Sequence, residues 1–395
     1  MVRFMKRFVF LLFLLGLPGL SFAQRTIEGR AVDAVTRKPL EFANVFVSNT
    51  TRGQNTDEKG HFKLTGVPSG AVDLVVTYLG YETFSLKINA DTLARPLLIL
   101  LTPKASELQA VTIRRLRNGF QDYFPLFRKN FIGETAFSND CRLLNPKALW
   151  FSLSDDGNTL LVRADEPLVI ENKALGYLVR YTLEEFTCNF RSQYVSHYGY
   201  ALFEEMTSKN ARQLQKWEAN RRKAYWGSPQ HFLKALVDRQ AAAEGYTLYR
   251  LIRDPKQEAS DRPDEGPTGA VPPDRSRDTT LRKMPVGAFD KYVQYLVNKP
   301  LSESAVLSQT GGQHRLRFGD YLYVIFHKEY EEPRFLPANQ WKVPQTSILW
   351  LADESAVVDP SGSLPDPLSV VFEGRWGREK MGELLPLDYQ PWEGR

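Results

Sequence analysis

The sequence predicts a β-rich protein: an N-terminal antiparallel β-sandwich followed by an α+β domain. Three observations carry this expectation. Up to residue 113, short alternating apolar runs are separated by turn signals at spacings of about 8 to 12 residues, as in an antiparallel sandwich. A second set of alternating runs starts near Leu149. Between Asn210 and Gly245 the pattern changes to helical spacing, after which strand-like runs return. The expected organisation is a leader at 1–23, the sandwich at 24–113, a first α+β part at 114–253, a disordered loop or linker at 254–283, and a second α+β part at 284–395.

The leader comes first in the chain. Arg3, Lys6 and Arg7 precede an apolar run at 8–15, and Gly16, Pro18 and Gly19 break it ahead of Ser21-Phe22-Ala23. This is the layout of a cleaved signal peptide, with Ala23 and Gln24 flanking the expected cut. The apolar run is shorter than the roughly 20 residues of a membrane-spanning helix. Export is therefore expected. It also changes how the charge reads: the formal charge is +5, and removing those three cations with no acid leaves about +2. A nearly balanced chain gives no argument for a nucleic-acid partner. No later stretch is apolar for long enough to be a transmembrane helix.

Within the sandwich, a strand at 26–33 leads into the turn Thr36-Arg37-Lys38-Pro39, and a second strand follows at 42–48. Asp57-Glu58-Lys59-Gly60 reads as the turn before a strand at 61–65, and Val67-Pro68-Ser69-Gly70 as the next. In the strand that follows, Val72, Leu74, Val76 and Tyr78 point one way and Asp73, Val75 and Thr77 the other. Gly80 breaks it before a strand at 82–88. Further strands are expected at 97–101 and 111–113.

These same residues resemble a known family. Gly29-Arg30-Ala31-Val32-Asp33, Pro39-Leu40-Glu41-Phe42-Ala43-Asn44-Val45, Thr56-Asp57-Glu58-Lys59-Gly60-His61-Phe62 and Val76-Thr77-Tyr78-Leu79-Gly80-Tyr81-Glu82 occur in the order found in carboxypeptidase-regulatory-like domains. The resemblance covers roughly a quarter of the chain. It implies a transthyretin-like β-sandwich without catalytic residues of its own, in an exported protein of the periplasm or outer membrane of a Gram-negative bacterium. That module commonly precedes TonB-dependent receptors, and 108–113 is similar to the segment leading into them. Too few residues follow for a plug and barrel, so a component related to such uptake systems is a lesser alternative.

In the remainder, Phe120, Phe124, Phe127 and Phe131 share one face of a helix expected to be interrupted near Pro125. Strands at 149–153 and 159–162 flank Asp155-Asp156-Gly157-Asn158, a hairpin turn. More strands are expected at 168–170, 175–183, 186–190 and 194–203. Helices follow at 210–224 and from Pro229, with Ser228 as N-cap and Pro229 at the first helical position. Asp254 to Lys283 is rich in Pro and charge and reads as a loop or linker. Beyond it, a short helix is expected at 292–297, a hairpin pairing 314–318 with 321–327, strands at 347–351 and 368–372, and a helix at 374–385. The segment from Asn145-Pro146 through Leu175-Gly176-Tyr177 to Phe186, with Ala224-Tyr225-Trp226-Gly227-Ser228 after it, resembles the uncharacterised region behind this module in other exported envelope proteins.

Chemistry is harder to find. In the metallocarboxypeptidase family a zinc site starts with His followed three residues later by Glu, and none of His61, His197, His231, His314 and His327 has that partner. Gly-x-Ser-x-Gly elbows and phosphate loops are absent too. No catalytic residue, metal or cofactor is assigned. The acidic pairs Glu184-Glu185, Glu204-Glu205 and Glu331-Glu332 read as surface charge, because neighbours on a strand face opposite ways. His197 among Tyr194, Tyr198 and Tyr200 reads as a sheet histidine, and the cluster Trp217, Arg221, Arg222, Lys223, Tyr225, Trp226 as an amphipathic helix face. Cys141 and Cys188 are either a disulfide closing a loop of about 47 residues or two buried free thiols. The expected function is a non-catalytic envelope protein, a binding or spacer module for a protein or glycan partner. The alternative is an envelope carbohydrate hydrolase with its site in 140–395.

Overall fold

The computed structural model describes residues 25–93, 95–104, 116–192, 194–256, 275, 278–285, 292–336 and 339–391. The cleavage expected between Ala23 and Gln24 and the strand expected at 111–113 lie outside these residues.

The sandwich consists of β1 (Arg25–Asp33), β2 (Asn44–Val47), β3 (Gly53–Asn55), β4 (His61–Val67), β5 (Ala71–Thr77), β6 (Phe84–Asn89) and β7 (Leu97–Leu101). One sheet has the order β4-β1-β7 and the other β3-β2-β5-β6. All pairings are antiparallel except β1 with β7, which run parallel from Gly29 opposite Leu97 to Asp33 opposite Leu101. Ile27, Ala31, Val45, Phe62, Leu64, Leu74, Val76 and Ile99 fill the space between the sheets. The Asp57 carboxylate accepts the backbone N–H groups of Lys59 and His61 at 2.9 and 2.7 Å, which closes the expected turn. Gly60 completes it at φ +75°, and a Cβ there would lie 2.4 Å from the Ala31 carbonyl oxygen, so only glycine fits. Val75 points away from Leu74 and Val76, as the alternation predicts, but it does not meet solvent. It is buried with Phe46 against Tyr200 and Leu202 of the next part, so this sheet is covered on both faces here.

The second part opens with α1 (Gly119–Phe131), which buries Phe127 and Phe131 and runs unbroken through Pro125. Six strands follow: β8 (Cys141–Leu143), β9 (Leu149–Leu153), β10 (Thr159–Ala164), β11 (Leu168–Asn172), β12 (Tyr177–Asn189) and β13 (Val195–Glu205). Their order is β8-β11-β12-β10-β9, with β13 along the other edge of β12. The turn before β10 forms as expected, with Asp156 accepting from the Ser154 hydroxyl at 2.6 Å. Cys141 and Cys188 are both buried free thiols, not a disulfide. The sheet explains why. Cys141 lies opposite Asn172, and Asn172 opposite Tyr177, whereas Cys188 sits about 11 residues further along β12. At about 3.3 Å per residue that is roughly 35 Å, far beyond the ~7 Å limit between Cα atoms for a disulfide.

Two helices then connect the sheets: α2 (Ala211–Tyr225) and α3 (Pro229–Val237). The Asn210 side chain accepts from the N–H of Arg212, and Ser228 from that of His231, so both N-termini are capped. Trp217 and Arg221 of α2 bond the carbonyls of Lys173 and Leu175 at 2.9 and 2.8 Å, which makes that aromatic and cationic cluster a packing face.

The last part contains β14 (Tyr246–Pro255), β15 (Leu281–Met284), β16 (Tyr292–Val297), α4 (Glu303–Val306), β17 (Leu307–Thr310), β18 (Gln313–Leu316), β19 (Tyr321–Tyr330), β20 (Pro344–Leu351), β21 (Ala356–Val358), β22 (Val370–Gly374) and α5 (Arg375–Arg378). The main sheet runs β15-β16-β14-β19-β20-β22. Several expectations are corrected here. Residues 292–297 form a strand between β14 and β15, not a helix. The 314–316 strand pairs with β17 and β21 rather than with β19, whose partners are β14 and β20. The strand expected at 368–372 lies at 370–374, and the helix expected to reach 385 stops at Arg378. The stretch read as linker has strand at both ends, β14 reaching Pro255 and β15 starting at Leu281, in one sheet. The body of the loop expected there, 257–274, lies outside the described residues, and the shared sheet puts β14 with the later part.

The chain then returns to the earlier parts. Met381 and Leu385 are buried in the core under the first six-stranded sheet. The N–H groups of Met381 and Gly382 bond the carbonyls of Phe131 and Ile132, and that of Leu387 bonds the carbonyl of Asn49 in the sandwich, at 3.1, 2.9 and 2.7 Å.

Candidate functional site

A cavity of about 500 Å³ opens where the three parts meet. The loop before β5 and the start of that strand, the beginning of β13, the first turn of α3, the loop after β21 and the segment after α5 all reach it. Most of its wall is aliphatic or aromatic, including Val72, Leu233, Leu364, Val370, Trp376 and Leu385. Trp376 is fixed by its indole N–H, which donates to the Gly227 carbonyl at 2.6 Å. Two other depressions are larger, at about 660 and 700 Å³. One lies beside Ala241 and Ser302; the other is a polar groove between β3 and β13 that contains the matched pair Arg180 and Glu204.

One wall of the junction cavity carries a buried charge network. Arg375 donates through Nη1 to Glu332 at 2.9 Å, through Nε to Glu379 at 3.1 Å and through Nη2 to Glu383 at 3.2 Å. Arg378 pairs with Glu331, and Glu329 accepts from Gln345 at 2.9 Å. Burial pushes Glu379 well above the ordinary carboxylate range, and the neighbouring Glu383 adds to the shift while Arg375 opposes it. Glu383 is raised by burial too, against the pull of Arg375. Burial also works against the Arg375 charge, but the surrounding carboxylates outweigh it and hold the guanidinium firmly protonated.

Further along the cavity, His197 stacks on Phe186 and meets Phe131 edge to face, with ring centroids 6.3 and 5.3 Å apart. Its Nδ1 is enclosed without a hydrogen-bond partner among the described residues. Burial, helped by the charge of Lys380, lowers its pKa to about 4, so the ring is neutral at physiological pH. Lys380 is itself lowered by burial. On the sandwich side Asp73 is raised by burial, which Lys87 partly offsets.

Of the residues singled out in the sequence, His197 and Glu331-Glu332 reach this neighbourhood. Glu184 and Glu185 are exposed on β12, and Glu204 and Glu205 pair with Arg180 and Arg221. Arg375, Glu379, Lys380 and Glu383 were missed. The available signal was the i, i+4, i+8 spacing of Arg375, Glu379 and Glu383. No three His, Cys, Asp or Glu side chains among the described residues converge as a metal site.

Comparison with known proteins bears on the first part of the chain. Residues 27–113 match the CarboxypepD_reg-like domain family. The sandwich is a CarboxypepD_reg-like domain. Its four motifs therefore hold the turns and strand starts just described, and its β5 is the strand that turns Val75 toward the rest of the chain. No curated protein matches this sequence. Among solved structures, a protein of unknown function from Bacteroides fragilis is 11% identical, with 89% of this chain and 93% of that one covered and a TM-score of 0.16. A 9R-lipoxygenase from Cyanothece is 9% identical over 54% of this chain, at a TM-score of 0.15; this chain spans 48% of its length. At those TM-scores neither likeness bears on fold or function. No helix among the described residues is long and apolar enough to cross a membrane.

Proposed function

We propose that this chain is a non-catalytic binding or spacer protein of the cell envelope, in which the CarboxypepD_reg-like domain and the α+β part jointly hold a protein or glycan partner at their junction. The observation behind this is the cavity itself, which takes its wall from all three parts and sets polar and charged groups among a majority of apolar side chains, as a binding site does. Envelope location rests on the signal-peptide pattern of the first 23 residues.

Convergence of Glu379 and Glu383 on an apolar cavity favours a second reading, a hydrolase with a carboxylate pair. Against it, both carboxylates are held by the same guanidinium, which leaves neither free to move a proton to a substrate. The test is capture of envelope components by the immobilised mature chain with crosslinking, beside an Ala71→Trp variant that fills the mouth of the cavity. Capture lost in that variant supports the proposal. Turnover of peptide or glycan substrates that Glu379→Gln abolishes would replace it with the hydrolase.

A further inference from the structure

The wall of the junction cavity carries a cation that no described residue pairs with. Lys380 is the only Lys or Arg among the described residues of the wall. Its neighbours in sequence, Glu379 and Glu383, are committed to Arg375, and no described residue forms an ion pair or hydrogen bond with the ammonium. A half-buried ammonium without a counter-charge is less favourable than a paired one, and a ligand that brings an anion supplies the pair. His197 adds a second unmet polar group on the same side, since its Nδ1 has no partner. Both residues flank Phe131: its ring meets His197, and its carbonyl accepts the N–H of Met381 next to Lys380.

The carboxylates that face the cavity do not serve Lys380. Glu379 and Glu383 bind Arg375, Asp359 accepts the N–H of Ser361 at 2.9 Å, and Asp73 faces Lys87 across the β5–β6 pair. Part of the wall is aliphatic, from Val72, Leu233, Leu364 and Leu385, among aromatic and hydroxyl side chains, and that part can receive a hydrocarbon body.

We propose that this cavity takes an amphipathic anion, an extended apolar molecule ending in a carboxylate or phosphate that rests on Lys380. The assignment rests on the reading of the junction as a binding site and goes beyond it, placing a small amphipathic anion in the cavity in addition to a protein or glycan partner at the junction. The anion stays non-covalently bound; no bond is made or broken.

Isothermal titration of the mature chain with dodecanoate, dodecyl phosphate, dodecanol and dodecylamine, each below its micelle concentration, tests it. One or both anions are expected to bind about tenfold or more tightly than the alcohol and the amine, as a charge-assisted contact requires, and the two anionic arms separate carboxylate from phosphate. Lys380→Met is expected to bring the anions to the level of dodecanol while dodecanol binding persists, which reports an intact cavity. Lys380→Arg is expected to restore the preference. Equal binding of dodecanol and the anions, or an anion preference that survives Lys380→Met, overturns the proposal. So does the absence of binding by every dodecyl compound, an outcome that leaves the capture experiment to judge the broader function on its own.

Discussion

Arg375 holds together more charge than any other side chain around the cavity. With Glu332, Glu379 and Glu383 around one guanidinium, removing the cation strands carboxylates in a buried site. Arg375→Met is expected to lower stability by about 3–5 kcal/mol, the usual cost of breaking a buried pair, whereas Glu383→Gln, which removes an acid from an acid-rich cluster, is expected to cost much less. Urea denaturation of the two variants checks the order, and equal losses would mean the network is not organised around Arg375. His197 makes a prediction of opposite chemical character. Its pKa falls from the ordinary 6.5 to about 4, so the neutral ring stabilises the fold above pH 6.5, and that contribution is lost as the pH drops through this window. The full amount is at most about 3 kcal/mol. His197→Phe is expected to be progressively more stable relative to the natural protein between pH 6.5 and 4, measured by thermal melts in matched buffers. The raised carboxylates Glu379 and Glu383 act with the other sign, losing their contribution as pH rises, and cancel in that difference. A pH-independent difference would place His197 in solvent.

At the scale of elements, local chemistry was legible and distant pairing was not. The Asp57–Gly60 turn and the Ser228-Pro229 helix start depend on residues within four positions of one another, and both form as the sequence implies. Ser228→Ala is expected to remove about 1 kcal/mol by exposing the N–H of His231, readable in chemical denaturation; no change would show that water replaces the cap fully. Residues 292–297 illustrate the other case. Tyr292, Val293, Tyr295 and Leu296 fit helical spacing as well as a strand, and six residues are too few to separate the two. What decides is β14, about 40 residues away, which supplies the hydrogen bonds. The helix expected at 374–385 fails for a related reason. After Arg378 the backbone leaves its own helix to bond Phe131 and Ile132, partners some 250 residues earlier. The candidate site was hidden by the same distance. Its charged groups come from the end of the chain, its apolar wall from the sandwich and both sheets, and only the spacing of Arg375, Glu379 and Glu383 hinted at it.

For the whole molecule, the segment after α5 is the stitch. Met381 and Leu385 enter the first sheet's core, Leu387 bonds Asn49, and Asp388 accepts from the Thr51 N–H at 2.9 Å. Truncation after Lys380 is expected to split a single cooperative melt into separate transitions and to expose the 120–130 region to protease, because both the core and the inter-part bonds lose members. A truncated chain that melts in one step within about 2 °C of the full chain would show that the parts cohere without it.

The parallel ladder between β1 and β7 has a mechanical side. Because the strands run the same way, the chain enters the domain at one end of the ladder, at Arg25, and leaves at the other, at Leu101. Tension along the chain therefore slides the two strands lengthwise past each other instead of peeling them apart from one end. The pairs from Gly29–Leu97 to Asp33–Leu101 share the load together and must fail together. A ladder loaded in this way resists by shear rather than by unzipping.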